Sequence, residues 1–317
     1  MEILGVLAAV LSSAIGGTAI GATRYLAGTL DPLMIGAIRF GGGFLVLLAI
    51  AVWRRDRWPS KRDWLGTAAL GLLFFGLFPV LFNAALIYTT AARGALALST
   101  LPLLTMLASA ILKVERPTMR KMIGVLIAMG GVFIALGIGT TTTPPGAWRG
   151  DTLMLAAASC MALYNVWSRP FISRSGPIPF AAFGMGVGAA CLSVLTALTG
   201  GLAQLAPLSA PQWIASGYLA IVCGAGIFFL WAYALGRTTP TLVAVSIAVN
   251  PVTASIFGVV LLGESTGAHL IIGLLAVLIG IGIASGTIAW RGLLSRRSAS
   301  AAAEAAKGVN RSKAPRG

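Results

Sequence analysis

Ionisable side chains are scarce in this chain of 317 residues, which holds 8 Asp and Glu, one His, and 23 Lys and Arg. Almost all of them fall between long apolar stretches. Arg39 is the exception, seven positions past Pro32, or about 10 Å along a helix rising ~1.5 Å per residue. Its stem is long enough to snorkel to the headgroups as an anchor, and a charge at that depth is equally a candidate gating or substrate-facing group. Asp31, Glu115, Asp151 and Glu264 stand at the ends of apolar stretches, where Glu115 and Glu264 suit turns and helix termini better than a gate. His269 opens the last stretch, an interfacial position. No HExxH, carboxylate cluster, Ser/His/Asp set or phosphate-binding loop is present, so neither catalytic residues nor a metal or cofactor is expected. Cys160, Cys191 and Cys223 lie inside apolar stretches without CxxC spacing, as small packing residues do.

Uncharged polar and aromatic groups inside the apolar stretches are the other chemical resource. They can hold a small zwitterion by hydrogen bonds and stacking. Ser246 and Asn250 are one helical step of four apart, just before Pro251, whose missing amide frees carbonyls. Ser12, Ser13, Phe78, Phe82, Thr100, Tyr164 and Trp231 complete the candidate pathway on other stretches. The structural alternative is that each Ser or Thr bonds its own helix or a neighbour and that the rings pack. Pro102 and Pro251 are gating or structural candidates.

The elements that must position these groups are membrane helices. Hydrophobic residues make up 57% of the chain and charged ones 10%, with 40 glycines, more apolar surface than a soluble core of this size could hide. Ten stretches reach the roughly 20 residues that a spanning helix needs, at 3–22, 32–52, 64–88, 94–112, 120–138, 151–170, 178–198, 212–235, 241–262 and 268–288. With a cytoplasmic N-terminus, inside loops and tail hold 19 of the 23 Lys and Arg, and outside loops hold only Arg24, Arg93 and Arg149. Both termini are therefore expected in the cytoplasm of a bacterial-type inner membrane. This placement follows topology, which argues against nucleic acid as the partner of the +15 charge. Trp53, Trp58, Trp64, Trp148, Trp213 and Trp290 sit near span ends as interfacial anchors. The first stretch follows Glu2 with no basic residue before it and reads as a retained span.

The chain repeats itself. A shift of 149 places Thr89 and Thr90 on Thr238 and Thr239, Pro102 on Pro251, Glu115 on Glu264, Gly124 on Gly273 and Gly131 on Gly280. Earlier in the halves the shift is 145, with Arg24 on Arg169, Pro32 on Pro177, and Gly41 and Gly43 on Gly186 and Gly188. Ser246 and Asn250 fall on Ala97 and Leu101, so the polar lining is asymmetric, and Trp231 is the partner of Phe82. Five spans per copy is an odd number, so the copies must face opposite ways. The expected architecture is all-α and integral to the membrane, ten transmembrane helices as two inverted five-helix repeats at 1–145 and 146–290. A basic cytoplasmic tail at 291–317 is too polar to span and is expected to be disordered. The glycine clusters of the second and seventh spans favour close packing, with a hinge at Gly42 or Gly186 as the functional alternative.

Three segments carry a family resemblance. The second span reads Asp31-Pro32-Leu33, then Ile38-Arg39-Phe40. The fourth runs from Tyr88-Thr89-Thr90 through Leu101-Pro102 to Val114-Glu115-Arg116, and its ninth-span copy ends Leu262-Gly263-Glu264-Ser265. Opening the second half, Gly150-Asp151 leads to Cys160-Met161-Ala162-Leu163-Tyr164. Over residues 3–288 the chain resembles the EamA family of the drug/metabolite transporter superfamily, and within it amino-acid exporters of the YddG type. Lys113-Val114 departs from the Leu-Gly usual before the first Glu. The resemblance implies a secondary transporter exporting small neutral or zwitterionic metabolites, amino acids first, by alternating access. A channel, a carrier of nucleotide sugars or drugs, and a membrane-embedded enzyme are the alternatives. With no Asp, Glu or His at mid-span, a facilitator or exchanger working down a gradient is expected, or a carrier whose coupling group lies near an entrance.

Overall fold

Prolines and short polar residues mark where the helices begin. Helix α2 (Pro32–Trp53) starts on a proline, whose missing amide is harmless in a first turn, and Asp31 caps it by accepting a hydrogen bond from the Met34 amide at 2.9 Å. Helices α6 (Ala147–Ser175) and α7 (Pro177–Leu198) meet at Gly176, which takes the positive φ of 87° that a side chain would resist. In this computed structural model the described residues are 2–26, 29–88, 97–137, 146–205, 208–250, 252–253 and 268–286.

The remaining helices are α1 (Glu2–Leu26), α4 (Leu101–Ile111), α5 (Met119–Gly137) and α10 (Ala268–Ser285). Two more are each continuous through a π-helical segment. Helix α3 runs Lys61–Gly71, Leu72–Leu77, Phe78–Tyr88, and α8 runs Ala210–Tyr218, Leu219–Gly226, Ile227–Leu235. Helix α9 is described over Pro240–Val245 and the 3-10 turn Ser246–Ala248 that extends it. All ten expected spans thus contain a helix, and no strand occurs among the described residues. Among the described residues, five helices are by themselves long and apolar enough to cross a bilayer: Glu2–Ala19, Pro32–Trp53, Lys61–Ala85, Pro177–Leu198 and Ala210–Leu235. Trp53, Trp64, Trp148 and Trp213 are exposed at helix ends and Trp58 in the connection between α2 and α3.

The packing obeys an exchange of halves. Helix α2 lies on α7 and α5 on α10, pairs that the exchange maps onto themselves. The contact of α3 with α6 is matched by that of α8 with α1, and α3 on α7 by α8 on α2. Glycines set these close approaches. A methyl group at Gly124 would stand 2.6 Å from the Gly280 carbonyl oxygen, and one at Gly131 would stand 2.8 Å from that of Gly273, the same pair with halves exchanged. The π segments repeat as well, since the shift of 149 lays 72–77 on 221–226.

Gly42 and Gly186, the two hinge candidates, sit in tight contacts. A side chain at Gly42 would meet the Ala220 Cβ at 2.5 Å, and one at Gly186 would meet the Phe44 ring at 2.8 Å. Leucine at either position therefore cannot leave folding intact, because it would push apart the α2–α8 or α2–α7 contact.

Candidate substrate cavity

A cavity of about 290 Å³ lies between the two sets of five helices. It runs from mid-helix toward the face where α1 ends and α2, α6 and α8 begin. Ser12, Ser13, Gly16 and Thr23 of α1 form one wall, facing Pro32, Ile35, Gly36, Arg39 and Phe40 of α2. Phe74, Phe78, Phe82 and Asn83 of α3 contribute a third, Met154 and Met161 of α6 a fourth. Ser99, together with Phe228 and Trp231 of α8 and Ile247 and Asn250, completes the lining.

The floor is a cluster of rings. Phe74 stacks on Tyr164 with centroids 4.2 Å apart, and Phe228 packs edge-on against Phe75, Phe74 and Phe40 at 5.0, 5.6 and 5.6 Å. Arg39 lies over this floor, its guanidinium carbon 5.5 Å from the Phe40 ring centroid and 5.6 Å from that of Phe228. Its Nη2 donates to the Cys223 carbonyl at 3.4 Å, while Nε is buried without an acceptor. The side chain therefore turns into the protein, and the snorkelling alternative falls. Across the cavity the Asn250 amide packs on Gly16, its Oδ1 buried and without a donor among the described residues.

Of the nine pathway candidates, the cavity brings together Ser12, Ser13, Phe78, Phe82, Trp231 and Asn250. Ser12 and Ser13 also serve the packing, through hydrogen bonds from Ser12 Oγ to the Ile227 carbonyl at 2.8 Å and between Ser13 and Ser246 Oγ at 3.0 Å. Trp231 donates its indole N–H to Asn165 Oδ1 at 2.9 Å, which fixes the ring against the wall. The other three are outside the lining. Ser246 is wholly buried and bonded to Ser13 and the Val243 carbonyl, Tyr164 lies beneath the floor, and Thr100 donates to the Ala97 carbonyl at 2.6 Å. Sequence reasoning missed Phe74 and Phe228, although each falls one helical step before a chosen aromatic, Phe78 and Trp231. It also missed Asn83, Ser99 and Thr23, single polar residues near helix ends with no periodic signal.

On the opposite face the halves are linked by side chains. Glu115, in the turn after α4, pairs with Lys121 at the start of α5 and accepts from the Thr241 hydroxyl at 3.1 Å and amide at 3.4 Å. It thereby supplies an acceptor at the first turn of α9, where amides lack helical partners. Lys121 also reaches the Thr239 hydroxyl at 3.4 Å. Nearby, Arg174 at the end of α6 binds Asp63 of α3 through two parallel hydrogen bonds of 2.9 and 2.7 Å. Pro102 is buried in the first turn of α4, a helix-start position. Pro251 and Glu264 lie outside the described residues, as does the His269 side chain.

The EamA-like transporter family matches this chain twice, over residues 3–137 and 148–286, and each match carries five of the ten helices. The chain is 25% identical to the uncharacterized transporter YyaM of Bacillus subtilis over 276 residues, 86% of this chain and 90% of that protein. It is 28% identical to a probable terminal-alkyne amino-acid exporter of Streptantibioticus cattleyicolor over 222 residues, 69% of this chain and 72% of that one. A solved crystal structure at 23% identity superposes with a TM-score of 0.74, covering 92% of this chain and all of its own, a likeness of fold. A duplicated helical bundle, a cavity between its halves and these two matches carry one conclusion: the chain is a multi-pass membrane protein that belongs to the EamA-like transporter family.

Proposed function

We propose that the protein exports small neutral or zwitterionic metabolites, amino acids first, across a bacterial-type inner membrane by alternating access between its two inverted halves. The observation that carries this reading is a cavity between the halves on one face, set against the Glu115 and Asp63 links that join the halves on the other. Charge placement makes the linked face cytoplasmic, since it carries the basic loops at 54–62 and 113–121. The described state is then open outward, the state in which an exporter releases its cargo. The amino-acid exporter among the relatives supports the substrate class.

No Asp, Glu or His lines the cavity among the described residues. A carrier without a protonatable group in its pathway moves substrate down its gradient or by exchange. Collapsing a pH gradient across proteoliposomes should then leave the initial flux unchanged; a severalfold loss would place a coupling group on the pathway.

Counterflow tests the reading. Liposomes containing the purified protein, preloaded with one unlabelled compound at a time, should take up labelled amino acid transiently above its equilibrium level. Saturable uptake without stimulation from the trans side would point to a channel, and stimulation only by nucleotide sugars would replace the substrate class.

A further inference from the structure

We propose that Arg39 anchors a carboxylate of the transported molecule, and that the Asn250 side-chain oxygen accepts a hydrogen bond from an amino group on the same molecule. The inference rests on the cavity being the transport site. Arg39 presents five N–H donors in a rigid fork. Only one meets an acceptor among the described residues, the Cys223 carbonyl at 3.4 Å, and Nε is buried with none. The ion pairs seen between described residues, among them Arg54–Asp56, Lys121–Glu115 and Arg174–Asp63, do not use Arg39. The nearest acid along its own helix, Asp31, is eight positions back, about 12 Å at ~1.5 Å per residue. The Phe40 and Phe228 rings attract the cation but offer no in-plane acceptor for its N–H groups.

An uncompensated guanidinium at a cavity wall is a site for an anion, and the fork matches the two oxygens of a carboxylate. One cation suits a singly charged group better than a phosphate dianion. Asn250 adds the complementary deficit, an acceptor without a donor in the same cavity. Ile35, Met154, Met161, Ile227 and Phe74 make most of the remaining surface apolar, with short hydroxyl and amide side chains between them. These features together select a small monocarboxylate with an apolar body, and an amino group next to the carboxylate improves the fit.

The test uses thermal unfolding of the full-length protein in detergent with leucine, with 4-methylpentanoate, which lacks the amino group, and with leucinamide, which lacks the carboxylate. Leucine and 4-methylpentanoate should stabilise the wild type, and leucinamide should half-saturate at a concentration at least tenfold above that of leucine. Arg39→Gln should weaken both acids at least tenfold and Arg39→Lys should recover part of the loss. Asn250→Ala should weaken leucine severalfold and leave 4-methylpentanoate unchanged. Leucinamide matching leucine would overturn the proposal without any variant. So would unchanged leucine affinity in Arg39→Gln, or no stabilisation of the wild type by either acid up to its solubility limit. The two readings separate cleanly: counterflow of a compound without a carboxylate keeps the carrier and removes the anchor, whereas acid-specific binding without any counterflow does the reverse.

Discussion

Arg39 and Asn250 are costly residues to leave as they stand. A buried polar atom without a partner costs about 1–3 kcal/mol, more if charged, so two of them in one cavity describe a surface shaped for something other than its own stability. At an effective dielectric near 20, a carboxylate about 4 Å from the guanidinium would gain roughly 4 kcal/mol of Coulomb energy, before the desolvation of both ions is subtracted. Trp231 shows the other kind of site residue, held by its own bond. Trp231→Phe removes the N–H that satisfies Asn165, whose Nδ2 already lacks an acceptor. We expect a loss of about 1–3 kcal/mol, read as a lower unfolding temperature in detergent, together with weaker half-saturation of transport; an unchanged midpoint would mean that Asn165 finds another donor. Arg39 was legible in the sequence as the one charge within a span, but which way its stem turned was not, because snorkelling and inward rotamers share one sequence. Ser246 and Tyr164 misled for a related reason. Both lie on inward faces, yet Ser13 and Phe74 stand between them and the cavity.

At the level of elements, span positions followed directly from apolar length, since the bilayer dictates it. The π segments did not. A π turn leaves no mark in composition, and the sequence 72–77 reads as ordinary apolar helix. Its recurrence at the same repeat position, where Phe74 and Phe75 of α3 and the start of Ile227–Leu235 in α8 meet the cavity and its floor, places irregular backbone beside the site. Glycines were legible as a pattern, but their role needed the neighbours. Gly42→Leu and Gly186→Leu should each lower the unfolding temperature and the yield of folded protein, as overpacking by about 1–3 kcal/mol does. Normal thermal stability with slowed flux would restore the hinge. Glu115 binds the start of α9 to the turn after α4. Glu115→Ala should destabilise this link, by about 1–3 kcal/mol for the buried partners left unpaired, and speed labelling of a cysteine at Val243, buried just behind it. Unchanged labelling would make the link dispensable.

For the whole molecule, the proposed alternating access would use the exchange of halves that the packing obeys to reach a second state. Phe78 and Ile227 are partners under the shift of 149, as are Phe82 and Trp231, and Ser99 and Ala248, and all six already line the cavity. In the proposed cycle they would form a centre common to both states. The outer wall has partners that are now buried: the shift of 145 takes Ala19 to Tyr164, Thr23 to Ser168, Ile35 to Phe180 and Gly36 to Ala181. Ser168 is fully buried, its hydroxyl without a partner, as fits a group that meets water in another conformation. Tyr164, absent from the present lining, would become part of the opposite one in that second state. The most direct test is sided cysteine labelling in oriented membrane vesicles, with Cys160, Cys191 and Cys223 replaced by alanine. Asn83→Cys should react with an impermeant reagent only from the face that bears the cavity. Ser168→Cys should react only from the other face, and faster as Asn83→Cys becomes slower when conditions or substrate shift the population. Ser168→Cys that stays unreactive under conditions of active transport, or that reacts from the same face as Asn83→Cys, would contradict alternating access through this cavity.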